Sequence, residues 1–176
     1  MQISVYIATS LDGYIARSNG DIDWLPPINP DGEDYGYGEF IRTIDRIVMG
    51  RKSFEKVQCF DPWPYEGTPV TVISQTLRTV PARLSDQVSL SDASPETLTA
   101  QLASKGAKRI YVDGGQTIQA FLRAGLITDL TMTTIPVLIG SGISLFGDLS
   151  HDVHLTHLSS STFADGLVQS SYAVRY

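Results

Sequence analysis

Arg109-Ile110-Tyr111-Val112-Asp113-Gly114-Gly115-Gln116-Thr117 is the stretch whose reading decides the fold. Residues of buried-strand character run straight into two glycines, and Ile118, Phe121 and Leu122 then recur at helical spacing until Gly125. A strand that ends in Gly-Gly at a helix start lets backbone approach a ligand closely, because no Cβ stands in the way. The helix start adds unpaired N–H groups and the positive end of the helix dipole, which suit a phosphate. The plain alternative is a tight turn between strand and helix.

The same strand-to-helix grammar recurs on both sides. Upstream, Ile3, Val5 and Ile7 alternate with Ser4, Tyr6 and Ala8 in a largely apolar run, which predicts a central strand. Ser10-Leu11-Asp12-Gly13 is a turn, and a Gly/Asn/Asp/Pro-rich loop is expected from Arg17 to Gly32, long enough to be a binding loop or lid. Trp24 lies in it, either as a hydrophobic anchor or as a cover for a ring-shaped ligand. A helix is predicted from Asp34 to Ile44 with Phe40, Ile41 and Ile44 on one side, its first turns weakened by Gly36 and Gly38 at about 1 kcal/mol each.

Arg46 to Gly50 reads as a short strand, and Arg51-Lys52-Ser53-Phe54-Glu55 as a second strand-Gly-helix junction. Pro69 to Ile73 is a third strand, closed by Ser74-Gln75-Thr76. Ser94, Pro95 and Gly106 frame a helix from Pro95 to Lys105. Beyond the central stretch, Leu130 to Leu138 is a strand and Gly140-Ser141-Gly142 a turn. Two final strands, 153–163 and 167–176, meet at Ala164-Asp165-Gly166, an Asp-Gly hairpin signal. These elements predict one α/β domain over residues 1–176: a three-layer α/β/α arrangement, mainly parallel, with an antiparallel hairpin at one edge. No internal repeat or linker interrupts it.

Composition narrows the function classes. At 176 residues the chain can bury a real core. The formal net charge of −6 and pI near 4.9 argue against a nucleic-acid partner but say little about a small anionic ligand. No apolar run reaches the roughly eighteen residues of a membrane span, and the start reads as a strand rather than a signal peptide. One cysteine, Cys59, rules out an internal disulfide and suits a reducing cytoplasm, and no neighbour marks it as a catalytic thiol. His151, His154 and His157 cannot converge from a strand, because 154 points away from the other two, so no metal site is expected.

Gly50-Arg51, Ser74-Gln75 and Gly114-Gly115 all fall at carboxyl ends of strands, which in an open α/β sheet line one crevice. Arg51 and Lys52 at a helix start suit a phosphate, Ser74 and Gln75 a second polar group, and Gly114 to Thr117 a pyrophosphate. The common dinucleotide fingerprint Gly-x-Gly-x-x-Gly is absent, and Gly140-Ser141-Gly142 is not a serine-nucleophile turn.

Val48-Met49-Gly50-Arg51-Lys52-Ser53-Phe54-Glu55, Val72-Ile73-Ser74 and Ile110-Tyr111-Val112-Asp113-Gly114-Gly115, in this order, resemble the dihydrofolate reductase superfamily. The opening Ile7-Ala8-Thr9-Ser10-Leu11-Asp12-Gly13-Tyr14-Ile15-Ala16 and the segments 125–130, 135–140 and 145–146 are similar to its riboflavin-biosynthesis reductase branch and to stand-alone bacterial relatives. The resemblance implies an NADPH-dependent oxidoreductase, with the nicotinamide near Ala8 and Ile15 and phosphates held by Gly50, Arg51, Lys52 and Ser53. It puts Ser74 and Gln75 on the adenosine 2′-phosphate side and the pyrophosphate on Gly114, Gly115, Gln116 and Thr117, with a cis peptide expected between the two glycines.

The implied substrate is a pteridine or pyrimidine-type heterocycle, either a folate or the phosphorylated ribosylamino-pyrimidine of riboflavin synthesis. For a folate-type reaction Asp34, sixteen residues before Gly50, is the expected carboxylate, with Glu33 and Glu39 as rivals and a helix N-cap as its ordinary role. Trp24 and Asp34 are the substrate-side residues. The riboflavin branch requires no dedicated carboxylate, and no His/Cys set with zinc spacing exists for a deaminase. A homodimer is expected by the same resemblance. The competing reading is a non-catalytic ligand-binding protein that keeps the fold.

Overall fold

A computed structural model describes residues 1–26 and 32–176. Part of the expected 17–32 loop, residues 27–31, lies outside the described residues. The chain forms β1 (Gln2–Ser10), β2 (Tyr14–Ala16), α1 (Tyr37–Ile41), β3 (Arg46–Gly50), α2 (Arg51–Val57), β4 (Val70–Ile73), β5 (Val88–Ser91), α3 (Pro95–Ser104), β6 (Arg109–Asp113), α4 (Gly115–Arg123), β7 (Asp129–Ile135), β8 (Ile143–Ser144), β9 (His154–Thr162) and β10 (Val168–Arg175).

Eight strands make one sheet in the order β5-β4-β3-β6-β1-β7-β10-β9, and β2 pairs with β8 in a small second sheet. Every pairing from β5 to β7 is parallel, while β10 is antiparallel to β7 and β9 to β10. β1 is therefore central, and the C-terminal hairpin supplies the antiparallel edge. The architecture is a three-layer α/β/α sandwich, because the strands present apolar residues to both faces. Val48, Ile110 and Val112 pack with Leu98 and Leu102 of α3 and Phe121 of α4 on one side. Ile47, Met49 and Tyr111 pack with Phe54 of α2 and with Phe40 and Ile41 of α1 on the other. Phe54 and Phe121 are fully buried, each worth roughly 1.5–3 kcal/mol of apolar transfer.

Local chemistry explains where elements start and stop. The Ser94 hydroxyl accepts from the Thr97 N–H, and Pro95 opens α3 where no N–H is needed. β7 ends at Ile135 rather than Leu138, because Pro136 has no N–H to donate to the sheet. The helix expected from Asp34 to Ile44 is only the five residues of α1. Tyr35 (φ 56°) and Gly36 (φ 85°) hold left-handed backbone that a helix cannot include. β5 and the β2–β8 pair were not expected. Their segments, two to four residues long, are too short for a periodic pattern to be decisive, and neighbouring strands make them strands.

Candidate functional site

Register decides whether the three expected strand ends meet. Gly50 lies opposite Ile73, and Met49 lies opposite Asp113, so β4, β3 and β6 end side by side. Adjacent strands are about 4.8 Å apart, so residues 50, 74 and 114 share one mouth.

The floor of that mouth is closely fitted around missing side chains. A Cβ at Gly50 would sit 2.8 Å from Thr117 Oγ1, and one at Gly114 would collide with Ser53 Oγ. A Cβ at Gly115 would lie 2.9 Å from Ile15 Cδ1 and 3.2 Å from the Ser144 carbonyl oxygen. Gly50, Ser53, Gly114, Gly115, Thr117 and Ile15 are thus brought together, and Ala8 lies on neighbouring β1 beyond the end of β6. α4 begins at Gly115 with Gly114 as its N-cap residue, without a side-chain cap and with no acidic residue in its first turn, so its first backbone N–H groups have no side-chain cap from the helix start. Gly114 makes this turn with φ 87° and ψ 132°. The expected cis bond between Gly114 and Gly115 is corrected: the bond is trans, and the cis peptide among the described residues is Asp61–Pro62. The positive φ of Gly114 reverses the chain without it.

The remaining expected residues are placed less uniformly. Arg51 starts α2, but its guanidinium reaches forward to Glu55 Oε1 at 2.7 Å, an exposed i,i+4 pair of little energetic weight. Lys52, Gln75 and Gln116 are solvent-exposed. The Ser74 hydroxyl accepts from the Thr76 and Leu77 N–H groups and so shapes its own turn. The loop carrying Trp24 is tied to α2 by Asp21–Lys56 at 2.8 Å, and Arg17 pairs with Asp23 within it. Trp24 is partly buried, and its indole N–H finds no acceptor among the described residues.

Asp34 is exposed, and its two carboxylate oxygens accept from the Gly36 and Gly38 N–H groups at 2.8 and 2.9 Å. Those two bonds hold its pKa below the usual carboxylate value, so it stays ionised. Asp34 acts as a cap on the start of α1, the ordinary role open to it from sequence. Glu33 accepts from the Tyr35 N–H, and Glu39 is exposed.

A carboxyl that the sequence reading passed over stands at the strand end beside the mouth. Asp113 ends β6, one residue before Gly114. Desolvation pushes its pKa up, opposed by the Gly114 N–H and by the Tyr111 hydroxyl 3.3 Å from Oδ1. The Tyr111 hydroxyl also lies 3.0 Å from the Tyr6 carbonyl oxygen. Tyr37 and Tyr65, both with pKa raised chiefly by burial, stand close enough to feel its charge. No cation pairs with Asp113 among the described residues. A carboxyl in this setting holds a proton more readily than Asp34 does. Its residue type was visible in the sequence, but its burial was not.

His154 and His157 lie opposite Arg175 and Tyr172 on β10, and His157 Nε2 is engaged by Ser160 Oγ at 2.8 Å. No helix among the described residues is long and apolar enough to cross a membrane.

Comparison with known proteins adds ancestry to this geometry. The family model of the RibD C-terminal domain matches residues 2–169. A crystal structure from Shewanella sp. PV-4, named "Putative riboflavin biosynthesis protein", is similar at 39% identity and TM-score 0.93, with all of both chains covered. The uncharacterized protein YwjB of Bacillus subtilis is 34% identical over 154 residues, 86% of each chain. A diaminohydroxyphosphoribosylaminopyrimidine deaminase/5-amino-6-(5-phosphoribosylamino)uracil reductase from Thermotoga maritima shares the fold at 16% identity and TM-score 0.71, this chain covering 56% of it. With a match over nearly its whole length and a dihydrofolate-reductase-like sheet, the chain belongs to the RibD C-terminal domain family.

Proposed function

We propose that this chain is an NADPH-dependent reductase of a pyrimidine or pteridine-type heterocycle. The observation that carries the reading is the meeting of Gly50, Gly114 and the uncapped start of α4 in one mouth beside the half-buried Asp113. The glycine floor suits the cofactor, since Thr117, Ser53 and Ile15 leave no room for a Cβ at Gly50, Gly114 or Gly115 and the backbone there stays bare. Gly114 to Thr117 would hold the pyrophosphate through backbone N–H groups, and Arg51, Lys52, Ser74 and Gln75 would meet the outer phosphates. Ala8 and Ile15 would flank the nicotinamide. When bound, NADPH supplies a hydride to a C=N or C=O bond of the substrate.

The chain's own task is then positioning and proton supply. Asp113, kept toward its protonated form by burial, delivers a proton to the reduced nitrogen or oxygen. Tyr111 orients that carboxyl from the protein side. Membership in the RibD C-terminal domain family and the name of the Shewanella relative support a pyrimidine-type substrate.

NADPH oxidation with a panel of dihydrofolate, dihydropterins and the ribosylamino-pyrimidine intermediate tests the reading. Turnover of at least one is expected; tight NADPH binding with no turnover of any would mark a binding protein instead. Arg51→Ala is expected to weaken NADPH about tenfold, because a charge-assisted phosphate contact is lost. Its urea midpoint should stay where it was, since only the exposed pair to Glu55 is removed. An unchanged NADPH affinity would take Arg51 out of the site.

We also place the chain in a homodimer. β9 is a nine-residue edge strand with no Lys, Arg, Asp, Glu or Pro to guard it, and such an edge invites a second copy. Sedimentation equilibrium should return twice the 19.2 kDa chain mass, and a single-chain mass at micromolar concentration would refute it.

A further inference from the structure

A groove of about 380 Å³ runs along the β4–β5 edge beside α3, from Arg46 at the amino end of β3 to Ser91 at the carboxyl end of β5, and its Arg46 end is the part remote from the glycine mouth. Arg46 begins β3, whereas Gly50 ends it, so the two sites are separated by roughly 13 Å of strand. The sheet wall of the groove carries a polar ladder across three strands. Arg46 Nη1 donates to Thr71 Oγ1 at 3.3 Å, and Thr71 Oγ1 lies 3.1 Å from Ser89 Oγ. The helix wall contributes Gln101 and Lys105.

The guanidinium is the anomaly. Arg46 is half-buried, and among the described residues it pairs with no carboxylate; the contact to Thr71 is its hydrogen bond there. A guanidinium has five N–H donors in a planar fork, so several have no protein acceptor among the described residues, and Arg46 lines the groove. Withdrawing such a charge from water without a partner is unfavourable, and an anion in the groove would offset that cost. The carboxylate on the lip, Asp86, is solvent-exposed and turned toward Ser85, with 3.5 Å between Ser85 Oγ and Asp86 Oδ1. Gln87 also lines the groove, its side-chain oxygen without a hydrogen-bond partner among the described residues.

We propose that the Arg46 end of this groove binds a small oxyanionic group, a phosphate or a carboxylate, on Arg46, with Lys105 completing its contacts. The site is separate from the proposed cofactor crevice and requires nothing of it.

The test is an amide chemical-shift titration of the isotope-labelled full chain with sodium phosphate at constant ionic strength, and with sodium malonate in a parallel arm. Saturable shifts at the Thr71, Ser89 and Gln101 amides are expected, read residue by residue so that phosphate entering the crevice is not mistaken for them. Arg46→Gln should raise the half-saturating concentration by about tenfold or more, because a charged hydrogen-bonding fork is lost. Lys105→Gln, on the exposed end of α3, should raise it several-fold, and it decides the matter alone if Arg46→Gln does not fold. Saturation by phosphate at lower concentration than malonate assigns a phosphoryl ligand, and the reverse order a carboxylate. Linear drift with both salts, or the same half-saturation in wild type and variants, overturns the site.

Discussion

Gly114→Ala is expected to lower NADPH affinity by about a hundredfold or more, through a blocked mouth, and to lower stability through positive-φ strain. Gly114 holds φ 87° with ψ 132°, a region that residues with a Cβ rarely enter, and the strain amounts to about 1–3 kcal/mol. The added methyl would also run into Ser53 Oγ, with Thr117 Oγ1 4.0 Å away on the same side. Relief by rotating Ser53 fills the mouth with a hydroxyl, and relief by moving backbone tilts the first N–H groups of α4 away from their guest. The unfolding midpoint in urea should fall as well, since the strain exists with or without cofactor. Fluorescence titration with NADPH checks the first effect, and circular dichroism in urea the second. An alanine variant that binds NADPH like wild type would remove the glycine floor from the cofactor site.

Asp113→Asn is expected to lower kcat by roughly two to four orders of magnitude, the range spanned by a positioned general acid. NADPH affinity should stay within a few-fold, because the amide keeps the shape and the contact to Tyr111. The pH dependence supplies a separate sign. Burial raises the Asp113 pKa, so the protonated and active form dominates at low pH, and kcat should fall as pH rises through the raised value. The asparagine variant should lose that descending limb.

Stability follows the same linkage. A carboxyl whose pKa is higher folded than unfolded binds more protons in the native state between the two values. Its contribution is therefore complete below the ordinary value of 3.8 and is lost as pH rises through the raised one. Asp113→Asn should flatten that part of the stability profile. Wild-type kcat in the variant, with an unchanged pH profile, would show that the proton comes from elsewhere.

The contrast between Asp113 and Asp34 shows what a linear reading can and cannot weigh. Both are aspartates at the start of a helix or the end of a strand, and spacing to Gly50 favoured Asp34 as the acid. Asp34 sits on the surface with two backbone N–H groups on its carboxylate, which stabilises the charged form. Asp113 is half-buried with Tyr37 and Tyr65 near, and desolvation there favours the neutral form against the opposing Gly114 N–H and Tyr111 hydroxyl. The difference is one of solvation. Solvation is a property of neighbours brought in from distant segments, and spacing along the chain does not carry it.

Much of the rest was legible because it is local. Alternation in Ile3 to Ile7, the Ser94-Pro95 cap with Gly106, the glycines closing β3 and β6, and the Asp-Gly turn before β10 each act within a few residues through sterics and backbone hydrogen bonding. Those signals were enough to determine an α/β chain with glycine-marked strand ends and a terminal hairpin. Tertiary structure alone decided that β3 lies between β4 and β6, so that Gly50 and Gly114 face one another, that Arg51 reaches Glu55, and that α1 shrinks to five residues behind Tyr35 and Gly36. Strand order and side-chain direction follow from which apolar faces can be buried together. That sum runs over the whole chain, and no single stretch of it states the result.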